Sequence, residues 1–140
     1  MKGDKIPDRD HISRFCKPMQ VEDGQIQPAA FMLRSDEENL SVNWLEFLNS
    51  PNRESVLAEI RNIYSAKLSI GASAKIAILN VGEVRDIVIK ESLDGRNLEV
   101  LHEPEPDHPS HSEIYNLRHD DELVAELILE TVHETYPARS

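Results

Sequence analysis

Cysteine is almost missing from this 140-residue chain, and glycine, aromatic side chains and basic stretches are scarce. The single Cys16 has no second cysteine in the chain to pair with. An internal disulfide framework is therefore excluded, which fits a reducing compartment. With 5% aromatic residues, the core implied by a hydrophobic content of 39% must be mostly aliphatic. No apolar run approaches the length that crosses a bilayer, and the first thirty residues, which mix charges with prolines, hold nothing like the core of a signal peptide. These absences point to a cytoplasmic protein that needs no membrane.

Common signatures are missing as well. There is no G-x-x-x-x-G-K-[ST] or G-x-G-x-x-G loop to cradle phosphates, no H-E-x-x-H helix and no C-x-x-C pair. No pattern of a characterised family stands out, so no activity is carried over by resemblance.

What the chain has in excess is negative charge. Against 15 basic residues stand 26 acidic ones, a formal charge of −11. The distribution is uneven: Glu99 to Glu134 holds eleven acidic residues and one basic residue, Arg118, which leaves −10 in that segment. Such a surface repels phosphate backbones and anionic lipid, so neither direct nucleic-acid contact nor membrane binding is expected. A basic protein partner is the natural counterpart.

Met1 to Asp10 is charged and has little apolar content, which predicts a flexible N-terminal arm before a single α+β domain over residues 11–140. His11–Cys16 and Ala29–Arg34 pass as strands, with His11, Ser13 and Phe15 on one side of the first and Ile12, Arg14 and Cys16 on the other. Its plainest reading is an edge strand. Ser41–Leu48 predicts a short helix that packs the lone Trp44 into the core. Val56, Leu57, Ile60, Ile63 and Tyr64 recur at helical spacing behind Ser50-Pro51, predicting a helix over about 51–66.

The aliphatic run Lys75–Val81 reads as a buried strand, Ile87–Ile89 and Leu98–Leu101 as a hairpin around Asp94-Gly95, and Ser112–Leu117 as a further strand. The chain closes on an amphipathic helix. Leu123, Val124, Leu127, Ile128 and Val132 line one face of it, Glu122, Glu126, Glu130 and Glu134 another, and Asp120 and Asp121 stand ready as caps. The fold class that follows is α+β: a small, mainly antiparallel sheet of three to five strands, one face of which is covered by two longer helices, the second C-terminal.

Two functions are open to such a chain. The first is a small acidic regulatory or protein-interaction module, with Glu122, Glu126 and Glu130 meeting a basic partner. Residual apolar surface on a chain this small could also be buried in a homodimer. The second centres on the loop His102 to Ser112, where three histidines alternate with carboxylates and prolines. His102, His108 and His111 could gather a divalent metal for hydrolysis or phosphoester chemistry, with Arg14 or Arg34 contacting an anionic substrate. No cofactor is assigned outside that second reading. The plainer reading of the loop is a stiff connection between two strands.

Overall fold

The computed structural model describes residues 2–139. Along the chain come β1 (His11–Cys16), β2 (Val21–Glu22), β3 (Gln25–Ile26), β4 (Leu40–Trp44), α1 (Arg53–Ser65), β5 (Lys75–Asn80), α2 (Val81–Glu91), β6 (Glu99–His102), β7 (His111–Tyr115), α3 (Glu122–Glu130) and β8 (Glu134–Pro137). Six strands form one antiparallel sheet in the order β6-β7-β4-β1-β5-β8, and β2 and β3 make a separate small ribbon. The α+β class and the C-terminal helix hold. Among the described residues no helix is long and apolar enough to cross a membrane.

Alternation along β1 and β5 sets the layering. Ile12 and Cys16 share a core with Ala77, Leu79 and the buried residues of α2 and α3, Val84, Val88, Val124, Ala125 and Ile128. Phe15, Ile76 and Ile78 face the other way, onto Val56, Leu57 and Ile60 of α1. Helices therefore cover both faces of the sheet, not one. The continuous aliphatic character of β5 follows from this, because a strand buried on both faces has no solvent side to make polar. β1 pairs with β4 on one side and β5 on the other, so it is a central strand and not the edge expected for it.

Three local expectations are corrected. Ala29–Arg34 is no strand: Pro28–Phe31 is a 3-10 turn that buries Ala30 and Phe31 against α3. The segment from Ser41 divides into β4 and a 3-10 turn at Glu46–Leu48. β-Branched Val42 and aromatic Trp44 favour the strand, and pairing on both edges outweighs a helical pattern only two turns long. Ile87–Ile89 belongs to α2, whose N-cap Asn80 accepts a hydrogen bond from the Glu83 amide at 2.8 Å. Its buried positions, Val81, Val84 and Val88, have helical spacing across the segment that a hairpin reading splits. Likewise α1 is capped by Asn52, whose side chain accepts from Ser55 N at 2.9 Å, two residues beyond the expected Ser50.

The N-terminal arm is docked. Gly3 N and Ile6 N donate to the carbonyls of His102 and Val100, His102 N donates to Asp4 O, and Ile6 is only 3% exposed within the α2–α3 core. One apolar side chain and a row of backbone bonds along β6 suffice, and neither stands out in so charged a segment. The arm then crosses the start of α2, where Gly82 N donates to Asp8 O at 2.9 Å and Arg85 reaches the Asp8 carboxylate at 2.7 Å. A Cβ on Gly82 would lie 2.9 Å from both the Cβ and the carbonyl oxygen of Asp8. Gly82→Ala is expected to push the arm away at a cost of about 1–3 kcal/mol. Hydrogen exchange should then rise at the Gly3, Ile6 and Gly82 amides while the β1–β5 ladder stays protected; unchanged protection of the arm would contradict the contact.

Candidate functional site

Cross-strand register sorts the three loop histidines. His102 pairs with Ser112, and Ser112 pairs with Val42 of the α2–α3 core. His111 pairs with Asn43, one residue along and hence on the opposite, α1 face. The sheet stands between His102 and the other two. His102 packs edge-on to Trp44 and against Phe47, donating from Nε2 to Pro109 O at 2.8 Å. Its Nδ1 is buried with no hydrogen-bond partner. Among the described residues no three His, Cys, Asp or Glu side chains are grouped to hold a metal ion. Closeness of the three histidines in sequence does not bring them together, because β6 and β7 pair as a hairpin that sends His102 and His111 to different faces.

His108 and His111 do meet, their ring centroids 5.4 Å apart, in a network around Asn43. Asn43 Oδ1 accepts from His108 Nε2 through a short hydrogen bond and from Ser110 Oγ at 3.0 Å. Asn43 Nδ2 donates to the Tyr64 hydroxyl at 2.6 Å. Tyr64 comes from the last turn of α1 and stacks on Phe15 at 4.8 Å. It is half-buried, and burial pushes its pKa up to about 12. Burial also drives His108 down to about 4, reinforced by His111 and Lys67 and opposed by Glu105 and Asp107. His108 is therefore neutral near pH 7, with its Nε2 proton on Asn43 and its Nδ1 lone pair 3.9 Å from the Glu105 carboxylate.

Tyr64, His108 and His111 line a cavity of about 260 Å³ together with Ser41, Val42, Ile63, Lys67, Leu68 and Glu105. Lys67 at its rim pairs with Asp107 at 3.4 Å. Asn43 and Tyr64, the centre of the network, carry no sequence signal of their own. Asn43 is a polar residue at the end of a run that resembles a helix, and Tyr64 occupies an ordinary apolar helical position.

Neither arginine lines this cavity. The guanidinium of Arg14 braces backbone, donating from Nε to Ala30 O at 2.8 Å and from Nη1 to Ser41 O at 3.0 Å where the β1–β4 ladder has ended. Arg34 lies beside Glu37, 3.7 Å away, and is mostly exposed. Cys16 is a buried core residue whose thiol burial pushes up to about 11, the wrong direction for a nucleophile. Trp44 is half-buried and donates from Nε1 to Asp10 at 2.9 Å.

The glutamates of α3 form the second candidate site. Val124, Ala125 and Ile128 face the core, whereas Leu123 is 60% exposed and Leu127 half-buried. That departs from the expectation of one buried stripe. The helix stops at Glu130; Glu134 sits in β8, where both its oxygens take hydrogen bonds from Arg53 at 3.1 Å. Asp121 is the N-cap position, with its carboxylate spent on Arg118 N and Arg96. Glu122, Glu126 and Glu130 line a cleft of about 500 Å³ between α3 and the end of α2, together with Leu123, Leu127 and Leu93, the last 93% exposed. Seven carboxylates border it (Glu91, Asp94, Asp120, Asp121, Glu122, Glu126, Glu130) against two guanidinium groups, Arg96 and Arg118. Arg96 is consumed by Asp94 and Asp121 at 2.8 and 2.6 Å. Among the described residues, Glu122, Glu126 and Glu130 have no ion pair or side-chain hydrogen bond.

No protein-family model matches this chain, nor does any curated protein or solved structure.

Proposed function

We propose that the protein is a small acidic interaction module whose α2–α3 cleft receives a basic, amphipathic helix of a protein partner. The observation that carries this reading is the placement of unpaired Glu122, Glu126 and Glu130 around the same cleft as the exposed side chains of Leu93 and Leu123. Leucines this exposed offer apolar area to a ligand. The glutamates, spaced four apart, repel one another by a few tenths of a kcal/mol per pair, roughly, and a row of lysines or arginines would turn that repulsion into attraction. A helix suits the cleft because one apolar stripe meets Leu93, Leu123 and Leu127 while its flanking cations reach the rim.

Binding of a fluorescent lysine- and leucine-patterned helical peptide tests the reading, with a scrambled peptide of equal charge as control. Affinity should fall about tenfold or more when Glu122, Glu126 and Glu130 are all changed to lysine, and should weaken as salt screens the rim. Leu123→Ser should weaken it with no change of charge. Equal binding of the scrambled peptide, or an affinity indifferent to all four substitutions, would reject the cleft as the recognition surface.

A further inference from the structure

Beyond the acidic cleft and independent of it, the α1 face holds a serine in contact with an imidazole. Ser41 of β4 and His111 of β7 are 70 positions apart in sequence, and strand pairing brings Ser41 Oγ to 3.2 Å from His111 Nε2. The other ring nitrogen, Nδ1, lies 2.8 Å from Glu103 O. A carbonyl can only accept, so Nδ1 carries the proton; in the neutral ring Nε2 is then the acceptor and the Ser41 hydroxyl its donor. Glu103 is itself fixed, its amide donating to His111 O at 3.0 Å and its carboxylate accepting from the Tyr115 hydroxyl. Serine, imidazole and a held acceptor behind the imidazole form the arrangement that removes a hydroxyl proton during attack.

We infer that Ser41 is a nucleophile, with His111 as its general base, in metal-free acyl transfer from small neutral carboxylic esters. Both residues line the cavity of about 260 Å³, which Ile63 and Leu68 make apolar enough for a short acyl chain. Glu105 shares the cavity, and Lys67 is already paired with Asp107, so an anionic phosphoester meets a repelling carboxylate and a neutralised cation. A neutral ester meets neither obstacle. In the acylation step Ser41 Oγ bonds to the ester carbonyl carbon while its proton passes to His111 Nε2. Collapse of the tetrahedral adduct breaks the bond to the leaving alkoxide, which takes that proton and departs as an alcohol. Water then repeats the sequence on the acyl-serine and releases a carboxylic acid. Tyr64 lines the same cavity, and its hydroxyl, whose oxygen accepts from Asn43, keeps its own proton to donate to the oxyanion.

The full chain, incubated with a short-chain alkyl fluorophosphonate, should gain one adduct with loss of fluoride, mapped by mass spectrometry to Ser41. Ser41→Ala should abolish the adduct, and His111→Gln should slow its formation by about a hundredfold or more, the usual contribution of a general base. Circular dichroism establishes that each variant is folded. In a second series, Ser41→Cys should react with iodoacetamide faster with His111 in place than in the His111→Gln background, with buried Cys16 as the internal reference. A folded wild type that stays unlabelled, an adduct that persists in Ser41→Ala, or rates indifferent to His111 in both series would each overturn the assignment.

Discussion

Asn43→Leu is expected to lower unfolding free energy by about 3–6 kcal/mol, with its three polar partners left unsatisfied at roughly 1–2 kcal/mol apiece. Leucine keeps the branching of asparagine, and although its methyl groups are bulkier than the amide and add some overpacking, packing is not the main source of the loss. It arises because the His108 Nε2 proton and the Ser110 hydroxyl lose their acceptor, and the Tyr64 oxygen its donor, where water does not readily replace them. Against a total of about 5–15 kcal/mol for ordinary domains, such a loss removes a large part of the stability. Urea unfolding followed by circular dichroism measures it. Tyr64→Phe deletes one of the three stranded groups, so the double variant Asn43→Leu/Tyr64→Phe should be more stable than the sum of the two single losses, by about 1 kcal/mol or more. Simple additivity, or a single-variant loss under about 1 kcal/mol, would show that the network does not carry the α1 face.

The features legible in the sequence are those with a period. The burial of β5 and the existence of α1 and α3 follow from apolar spacing. Errors fall where two periods fit one segment. Ser41–Leu48 and Ile87–Ile89 both contain short apolar runs compatible with helix or strand, and tertiary pairing decides them in opposite senses, making a strand of the first and a helix of the second. The covering of both sheet faces is implicit in the unbroken aliphatic run of β5, yet strand order, which decides what covers them, leaves no local trace.

The candidate sites divide the same way. Glu122, Glu126 and Glu130 stand on one helix, so periodicity alone places them together, while Leu93 joins them only through packing of the α2 end against α3. The histidine loop draws attention by composition, but composition does not specify a face. His102 and His111 are nine residues apart on a hairpin that puts them on opposite sides, whereas Ser41 and His111 become neighbours through a pairing no motif records. Arg14, an arginine in an apolar strand, reads naturally as an anion site. It serves instead as a donor to carbonyls left over where two strands part, a need visible only once the ladder is known.

A fall in stability between pH 6.5 and about 4 is the second large expected effect, and it originates at His108. Its folded-state pKa is about 4, depressed from an ordinary value of 6.5. The unfolded chain therefore takes up a proton as the pH drops through 6.5, while the folded protein refuses one until about 4. Over that window the unfolded state holds more protons, so stability declines with falling pH; above 6.5 the contribution is flat, and below 4, where both states are protonated, it levels off. At 1.36 kcal/mol per pKa unit the depression contributes at most about 3 kcal/mol. Asp94, Asp107 and Glu134 also have lowered values, and their contributions are lost only as the pH falls through the carboxylate range. The slope between pH 6.5 and 5 is thus the part assigned to the histidine. His108→Gln keeps a nitrogen donor within reach of Asn43 Oδ1 but cannot titrate, so urea midpoints measured across that interval should vary with pH in the wild type and hardly at all in the variant. Parallel slopes would mean that His108 is solvated and protonates freely, and burial would no longer account for the enclosed, neutral ring on which the Asn43 network is built.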